Sequence, residues 1–358
     1  MREHLNYRLI CREALERNAA AVAGFVDAPV IGVLKCDGYG VSIPEAAAAW
    51  QKAGVTMFAV SQPAEALTLR EAGFPEEVLL LAPVADRETL QAMQENNIIL
   101  TVHDLTSAQF YAENASGVRA HIAVDTGMGR FGVRWTDIAQ LKAIYAVEGV
   151  AFEGIFSHFA ASFEKKYRVT KRQLDRFLQV TDVLTDSGIC VGMRHIANSC
   201  AALRFPQTRL DAVRCGSALV GPTVAPVPVR LEPVSEFRAQ VVAVKRFEKG
   251  DTTGYASICR CRRPMKAVVV AIGHECGFGY TGVPDHFRLW DLASYIRRAV
   301  VSYLQRPGVY HKGRKLPLIG RVGTQYTLFD ATGVEIAPGD YVTAKISMLF
   351  PFGRREFK

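Results

Sequence analysis

Eight short apolar runs, each followed by a polar or amphipathic segment, fill the chain between Pro29 and Gly216. This alternation constrains the fold more than any other feature. The runs fall near 29–35, 57–61, 78–83, 98–102, 118–125, 150–159, 193–197 and 209–216. Continuous apolar runs of this length read as strands buried on both faces, as in a parallel sheet. Helical periodicity separates them over Ala64 to Ala72, Glu88 to Glu95, Thr136 to Val147 and Lys171 to Thr185. Ser42-Ile43-Pro44-Glu45 has capping-box spacing with proline in the first turn, so a helix is expected from there to Lys52. Eight strands, each followed by a helical segment, predict an α/β fold with a closed (β/α)8 TIM-type barrel; an open doubly wound sheet is the alternative.

From the proline-rich passage Pro222 to Val229 onward the pattern changes. Strand-like runs at Phe237 to Phe247, Met265 to Ile272, Leu318 to Phe329 and Tyr341 to Ser347 are joined by turns such as Glu248-Lys249-Gly250-Asp251 and Ala337-Pro338-Gly339-Asp340. A mainly β second domain is expected over 226–358, after a barrel over 1–225. One helix is predicted inside it, from Phe287 to Leu304.

At 358 residues, 49% hydrophobic and 22% charged, the chain has material for two cores. Residues Met1 to Arg17 carry charges without an apolar centre, and no later run approaches a membrane span, so a cytoplasmic protein with no membrane partner is expected. The eight cysteines are scattered without Cys-x-x-Cys or zinc-ligand spacing, which suits reduced thiols and no metal. The net charge of +8 raises the question of nucleic acid. The basic group Arg297, Arg298, His311, Lys312, Arg314 and Lys315 lacks the aromatic interleaving of a nucleic-acid motif and reads as a solvated face.

In a parallel barrel, functional groups gather at the carboxyl ends of the strands. Lys35, Asp125, Arg130, His158, Asn198, Ser199, Arg214 and Gly216 all fall at or just past such ends. Lys35 closes the first run and meets a Gly38-Tyr39-Gly40 turn. Lysine is the residue type that burial can make neutral and nucleophilic toward a carbonyl. Gly127-Met128-Gly129-Arg130-Phe131-Gly132 matches G-x-G-x-x-G, but the next helix starts near Thr136 rather than at the glycines. No acidic residue closes the following strand, so dinucleotide binding is not expected.

Five segments in order, Val33 to Gly40, Val124 to Gly132, Ser157 to Ala160, Ala197 to Ser199 and Val213 to Leu219, resemble alanine racemase, and Gly254-Tyr255-Ala256 extends the resemblance into the second domain. The resemblance implies an isomerase that racemises an amino acid with pyridoxal 5'-phosphate, a cofactor held covalently by Lys35. It further implies Arg214 at the pyridine nitrogen, Ser199, Gly216 and Tyr39 on the phosphate side, Asn198 beside Ser199, and His158 beside the ring. Arg130 would stand near the ring hydroxyl and the substrate carboxylate. Racemisation needs a base on each face of a planar carbanion, and Lys35 and Tyr255 match them. In the family that tyrosine reaches the other subunit's site, so a homodimer is implied.

The second domain departs from the family's pattern. Thr324 and Gln325 stand where the family has Met-Asp after Gly-Arg-Val, and Gly273-His274-Glu275-Cys276-Gly277 replaces Gly-Tyr-x-Asp-Gly. The stretch 276–317 is longer than usual. Met348 stands near the position of a phosphate-binding tyrosine, and Ala123 replaces a lysine that some members carbamylate. Alanine is therefore the default substrate, with serine or a longer amino acid as the altered specificity these changes would admit. Two other readings remain: a decarboxylase-like enzyme of the same barrel type, and a protein that binds the cofactor without turnover.

Overall fold

The computed structural model describes residues 4–221, 223–280, 291–304, 307–348 and 354–358. Pro222 of the proline-rich passage and Phe287 to Trp290 of the expected helix lie outside the described residues. The chain divides into two units, Arg12–Val234 and a second that joins Met1–Cys11 to Ser235–Lys358.

After β1 (Asn6–Ile10) come β2 (Val30–Val33), β3 (Met57–Val60), β4 (Glu77–Leu80), β5 (Ile98–Val102) and β6 (Val118–Asp125). The two-residue β7 (Val133–Arg134), then β8 (Val150–Phe156), β9 (Met193–Asn198) and β10 (Ala212–Cys215), follow. Eight of these form the ring β2-β3-β4-β5-β6-β8-β9-β10, with every pairing parallel. The ring closes because β10 pairs back onto β2, Val213 against Val30 and Arg214 against Ile31. β2, β3 and β5 are buried at every position, as strands between a filled interior and a coat of helices must be. Ile31, Met57, Leu79 and Ile99 pack together as one cluster of that core.

Two local expectations change. The last barrel strand is followed only by the 3-10 turn Ser217–Leu219, and the helix that packs on this turn, Arg12–Phe25, precedes the first barrel strand. The ring of helices is thus closed from the other end of the sequence. The helix Ile43–Lys52 forms as expected, but Ser42 makes no side-chain cap and sits at φ 116°. Asp37 takes the cap instead, its Oδ1 accepting from the Ile43 N–H at 3.1 Å. The carboxylate is nearer because the chain before the helix is wound into a tight turn.

In the second unit β11 (Ser235–Phe247) is the spine; β12 (Thr252–Thr253) and β13 (Cys259–Arg260) form a separate ribbon. β14 (Met265–Val270), β15 (Gly308–His311), β16 (Arg314–Ile319), β17 (Thr327–Asp330) and β18 (Tyr341–Ala344) join β11 in the closed order β14-β17-β16-β15-β18-β11. The first half of β11 also pairs antiparallel with β1, which pairs in parallel with β19 (Arg354–Phe357). This is why the first eleven residues go with the β unit, although the sequence order assigned them to a barrel over 1–225. Phe237, Val241, Val268 and Phe329 lie in its core. The expected strand from Leu318 to Phe329 is two strands, β16 and β17, divided by the Gly320-Arg321-Val322-Gly323-Thr324-Gln325 loop.

The helix described here is Asp291–Leu304. Of the basic group, Arg297, Lys312, Arg314 and Lys315 are exposed, but His311 is buried and faces the Tyr341 carbonyl at 3.2 Å. It does not belong to the solvated face. Among the described residues no helix is long and apolar enough to cross a membrane, and all eight cysteines are unpaired.

The exchange of caps gives a direct test. Ser42→Ala is expected to leave stability within about 0.5 kcal/mol, whereas Asp37→Ala should lose about 0.5–2 kcal/mol. Urea unfolding of the two variants measures both, and the opposite order would restore Ser42 as the cap.

Candidate active site

Lys35 leaves the end of β2 on a turn that is left-handed. Cys36, Asp37, Gly38 and Tyr39 have φ of 55°, 52°, 63° and 56°. Each non-glycine residue in that conformation costs about 1–2 kcal/mol. The turn is held by Gly38 N–H donating to the Leu34 carbonyl at 2.9 Å, Gly40 N–H to Cys36 at 2.9 Å and Ser42 N–H to Asp37 at 3.0 Å. Strain of this kind persists where the surroundings over-determine it, and such places cluster at functional sites. The Lys35 side chain is exposed, with Nζ 5.7 Å from the centre of the Tyr39 ring. The strand end therefore does not bury this amine, and the residues around it are what set it in a site.

Those neighbours line one cavity of about 470 Å³ in the barrel unit. Lys35, Tyr39, Arg130, His158, Asn198, Ser199, Arg214 and Gly216 all reach it, so the structure gathers every barrel residue singled out in the sequence except Asp125. Tyr255, Thr324 and Gln325 belong to the β unit. Among the described residues, three cations line the cavity and no Asp or Glu does. A site with that balance selects anions.

Arg214 is the centre of it. It is 4% exposed and its cationic group is stripped of water, which draws its pKa down to about 10, still charged at neutral pH. Nη1 donates to the His195 carbonyl at 3.0 Å and to His195 Nδ1 at 2.6 Å; Nη2 donates to the Ser157 carbonyl at 2.6 Å and lies 3.3 Å from His158 Nδ1. Its guanidinium carbon also stands 5.1 Å from the centre of the Phe156 ring. Four N–H groups are thus engaged by neutral acceptors. The fifth, on Nε, has no partner among the described residues and is not sealed from the cavity.

At the other end, Ser199 Oγ accepts from the Gly216 N–H at 3.1 Å and the Ala218 N–H at 3.3 Å. Tyr39 packs so closely that a Cβ on Gly216 would lie 2.5 Å from its hydroxyl, so only glycine fits. Burial holds the Tyr39 phenol well above its ordinary pKa, as a neutral donor. Asn198 works behind this surface: its Oδ1 caps the helix Ser199–Arg204 at the Ala201 N–H and accepts from Ser162 Oγ at 2.7 Å.

The G-x-G-x-x-G segment serves a different purpose. Asp125 Oδ1 accepts from the N–H groups of Gly127, Met128 and Gly129 at 2.9, 2.9 and 3.0 Å. The amides that would cradle a dinucleotide phosphate are occupied by a carboxylate of the chain itself. The loop so formed carries Arg130 to the cavity.

His195 and the Ser157 carbonyl were not singled out in the sequence. The available signal was indirect: an arginine in a barrel strand with no acidic residue at the neighbouring strand ends must find neutral acceptors, and a histidine on the next strand is one. In the β unit, the two departures from the family pattern come together. The His274 N–H donates to the Gly323 carbonyl at 2.9 Å and the Glu275 N–H to the Thr324 carbonyl at 3.1 Å. Met348 Sδ accepts from Arg8 and Ser235.

A lysine at the head of a strained turn and a buried arginine met only by neutral acceptors, at the carboxyl ends of a parallel barrel, define a barrel enzyme that holds an anionic ligand against an amine. The family model for the alanine racemase N-terminal domain matches residues 10–224, and that for the C-terminal domain matches residues 234–347. The chain belongs to the alanine racemase family. An alanine racemase of Desulforamulus reducens is 32% identical over 278 residues, 74% of this chain and 75% of that protein. One of Desulfosudis oleivorans is 29% identical over 351 residues, 92% of this chain and 84% of that protein. The crystal structure of alanine racemase from Bacillus anthracis with bound L-Ala-P superposes with a TM-score of 0.85 at 25% identity, covering 99% of this chain and 95% of that one. The Clostridium difficile 630 alanine racemase, at 23% identity and a TM-score of 0.86, shares the fold over 100% of this chain and 97% of its own.

The electrostatics of the site set a pH response. Burial, and then Arg214, Arg130 and Lys35, draw His158 down to about 3. Burial draws His121 to about 4 and His195 well below its usual value. The folded chain keeps these imidazoles neutral while the unfolded chain protonates them below about 6.5. Stability is therefore full above that pH and is lost as pH falls toward 4 and 3, by about 1.4 kcal/mol per pH unit for each imidazole. Urea unfolding at about pH 7 and about pH 5 measures it, and equal stability at the two would contradict burial in the neutral form.

Proposed function

We propose that this chain is a cytoplasmic, homodimeric pyridoxal phosphate-dependent racemase that interconverts L- and D-alanine with Lys35 and Tyr255 as its two bases. The observation that carries the reading is the cavity: a lysine at the head of a strained turn, two further cations and, among the described residues, no carboxylate. The donor set fits the cofactor. The Ser199 and Tyr39 hydroxyls would present donors suited to a phosphate, with the Gly216 N–H holding Ser199 Oγ in place and its missing side chain leaving room, and the free Arg214 Nε–H suits an aromatic ring nitrogen.

When bound, pyridoxal phosphate withdraws electrons from the substrate Cα and so acidifies its hydrogen. The work of the chain is to orient and to move protons. Arg214 cannot surrender its proton in the working pH range, so it holds the ring nitrogen unprotonated and limits how far charge spreads from Cα. That favours return of a proton to Cα over further reaction. Arg130 pairs with the substrate carboxylate, and Lys35 exchanges a proton on one face of Cα. Tyr255 does so on the other, contributed by the second subunit. Tyr255 opens the 3-10 turn Tyr255–Ser257, in which Ala256 and Ser257 have φ of 57° and 48°, a second strained turn at a proposed base. The charged Arg214, rather than an acidic partner, speaks against a decarboxylase-like role, which profits from a protonated ring nitrogen. Thr324 and Gln325 keep hydrogen bonding but not charge where the family has an aspartate, and this supports a pocket open to serine or a longer amino acid.

The test is proton NMR of L-amino acids with enzyme and cofactor in heavy water, followed by chiral analysis. Loss of the alanine Cα signal with appearance of D-alanine is expected, and Lys35→Ala should abolish both. Tyr255→Phe should suppress exchange from one enantiomer far more than from the other; equal small losses would remove Tyr255 from the mechanism. Cofactor binding without exchange on any amino acid would favour the non-catalytic binder.

A further inference from the structure

We propose that His121 is a positioning residue of this site: acting through His195, it holds the Arg214 guanidinium in place with its free N–H toward the cavity. The proposal rests on the reading of the cavity as the cofactor site. Parallel barrels fill their interiors with aliphatic side chains in layers. Here three polar side chains form a row instead, Arg214 on β10, His195 on β9 and His121 on β6, each buried. His195 Nε2 and His121 Nδ1 are 2.8 Å apart.

The direction of each proton in this row follows from the arginine. A guanidinium has no acceptor. His195 Nδ1, 2.6 Å from Arg214 Nη1, must therefore accept and carry no proton. The neutral ring then bears its proton on Nε2 and donates it to His121 Nδ1. His121 in turn carries its own proton on Nε2. Only one arrangement of protons satisfies both contacts, and it keeps both rings uncharged. Burial and the Arg214 charge, which lower the affinity of both rings for a second proton, act in the same direction. Remove the His121 acceptor, and the His195 N–H is stranded in a dry interior, which is costly. The ring is then free to turn its N–H toward Arg214 and push the guanidinium away.

The barrel gives up regularity to seat this ring. β8 lies between β6 and β9 in the sheet, so His121 has to reach His195 across it. The residue paired with His121 on β8 is Gly154, and a Cβ there would stand 2.8 Å from His121 Cε1 and 2.9 Å from Nδ1. The β6–β8 register shifts between Ala120 and His121, at the same point. The same Cβ would also stand 2.7 Å from the Met193 carbonyl, so the glycine serves the β8–β9 contact as well as the ring, and the bulge and the missing side chain meet beside one imidazole.

The experiment compares His121→Phe, which keeps a flat ring but no acceptor, with His121→Gln, which restores one. In the full chain without cofactor, selective nitrogen-15 labelling of histidine reads the His195 tautomer directly. The proton is expected on Nε2 in the parent and in His121→Gln, and a mixture of tautomers in His121→Phe. With pyridoxal phosphate added, His121→Phe should bind it about 10- to 100-fold more weakly, as is usual when a partner behind a ligand-contacting group is lost. Its kcat for alanine should fall by a similar factor with KM little changed, and His121→Gln should recover most of both. The proposal is overturned if His195 carries its proton on Nδ1 in the parent. It is overturned equally if the phenylalanine and glutamine variants, both folded by circular dichroism, lose the same amount. A parent that turns over no amino acid would sink the proposed function, while the tautomer and cofactor affinity would still decide the role of His121.

Discussion

The structure depends on one buried cation that has no carboxylate to meet it. Stripping a guanidinium of water is costly, and leaving it unsatisfied is more so. Arg214 is accommodated by two backbone carbonyls and two imidazole nitrogens from the neighbouring strand and the Ser157-His158 segment. Those acceptors exist only where β8, β9 and β10 lie in register, so the cation and the closure of the barrel support each other. Because every acceptor is neutral, the positive charge is not cancelled within the chain. It is directed at whatever occupies the cavity, and Lys35 and Arg130 add to it.

The same economy of charge explains the two turns that flank the site. Acidic residues are present nearby, but each is committed elsewhere. Asp125 folds the Gly127 to Gly132 loop around its own oxygen, and Asp37 caps the helix Ile43–Lys52 while standing inside the left-handed turn after Lys35. Both carboxylates hold backbone in shape and keep their charge off the cavity lining. The strain stored at Cys36, Asp37 and Tyr39 is balanced by these bonds and by the packing of Tyr39 against Gly216. A family-like loop motif thus supports an arginine rather than a nucleotide, which the pattern of glycines alone cannot distinguish.

The alternation of apolar runs and helices determined the barrel, because a strand buried on both faces has a periodicity that survives in one dimension. The sequence by itself also determined most of the gathered residues, since the carboxyl end of each run marks the same rim of a parallel barrel. Lys35, Arg130, His158, Ser199, Arg214 and Gly216 were legible for that reason. Three things were decided only by tertiary structure. β1 belongs to the β unit because its partners are β11 and β19, more than two hundred positions away in the chain, and pairing at that distance leaves no local mark. Asp37 displaces Ser42 as a cap because five consecutive left-handed residues, Cys36 to Gly40, bring its carboxylate back over the helix start, and that winding follows from contacts made after closure. His195 and His121 read as ordinary interior positions of two strands. Only when β6, β8 and β9 lie side by side, with Gly154 leaving room between them, do the two imidazoles become the support of a buried arginine.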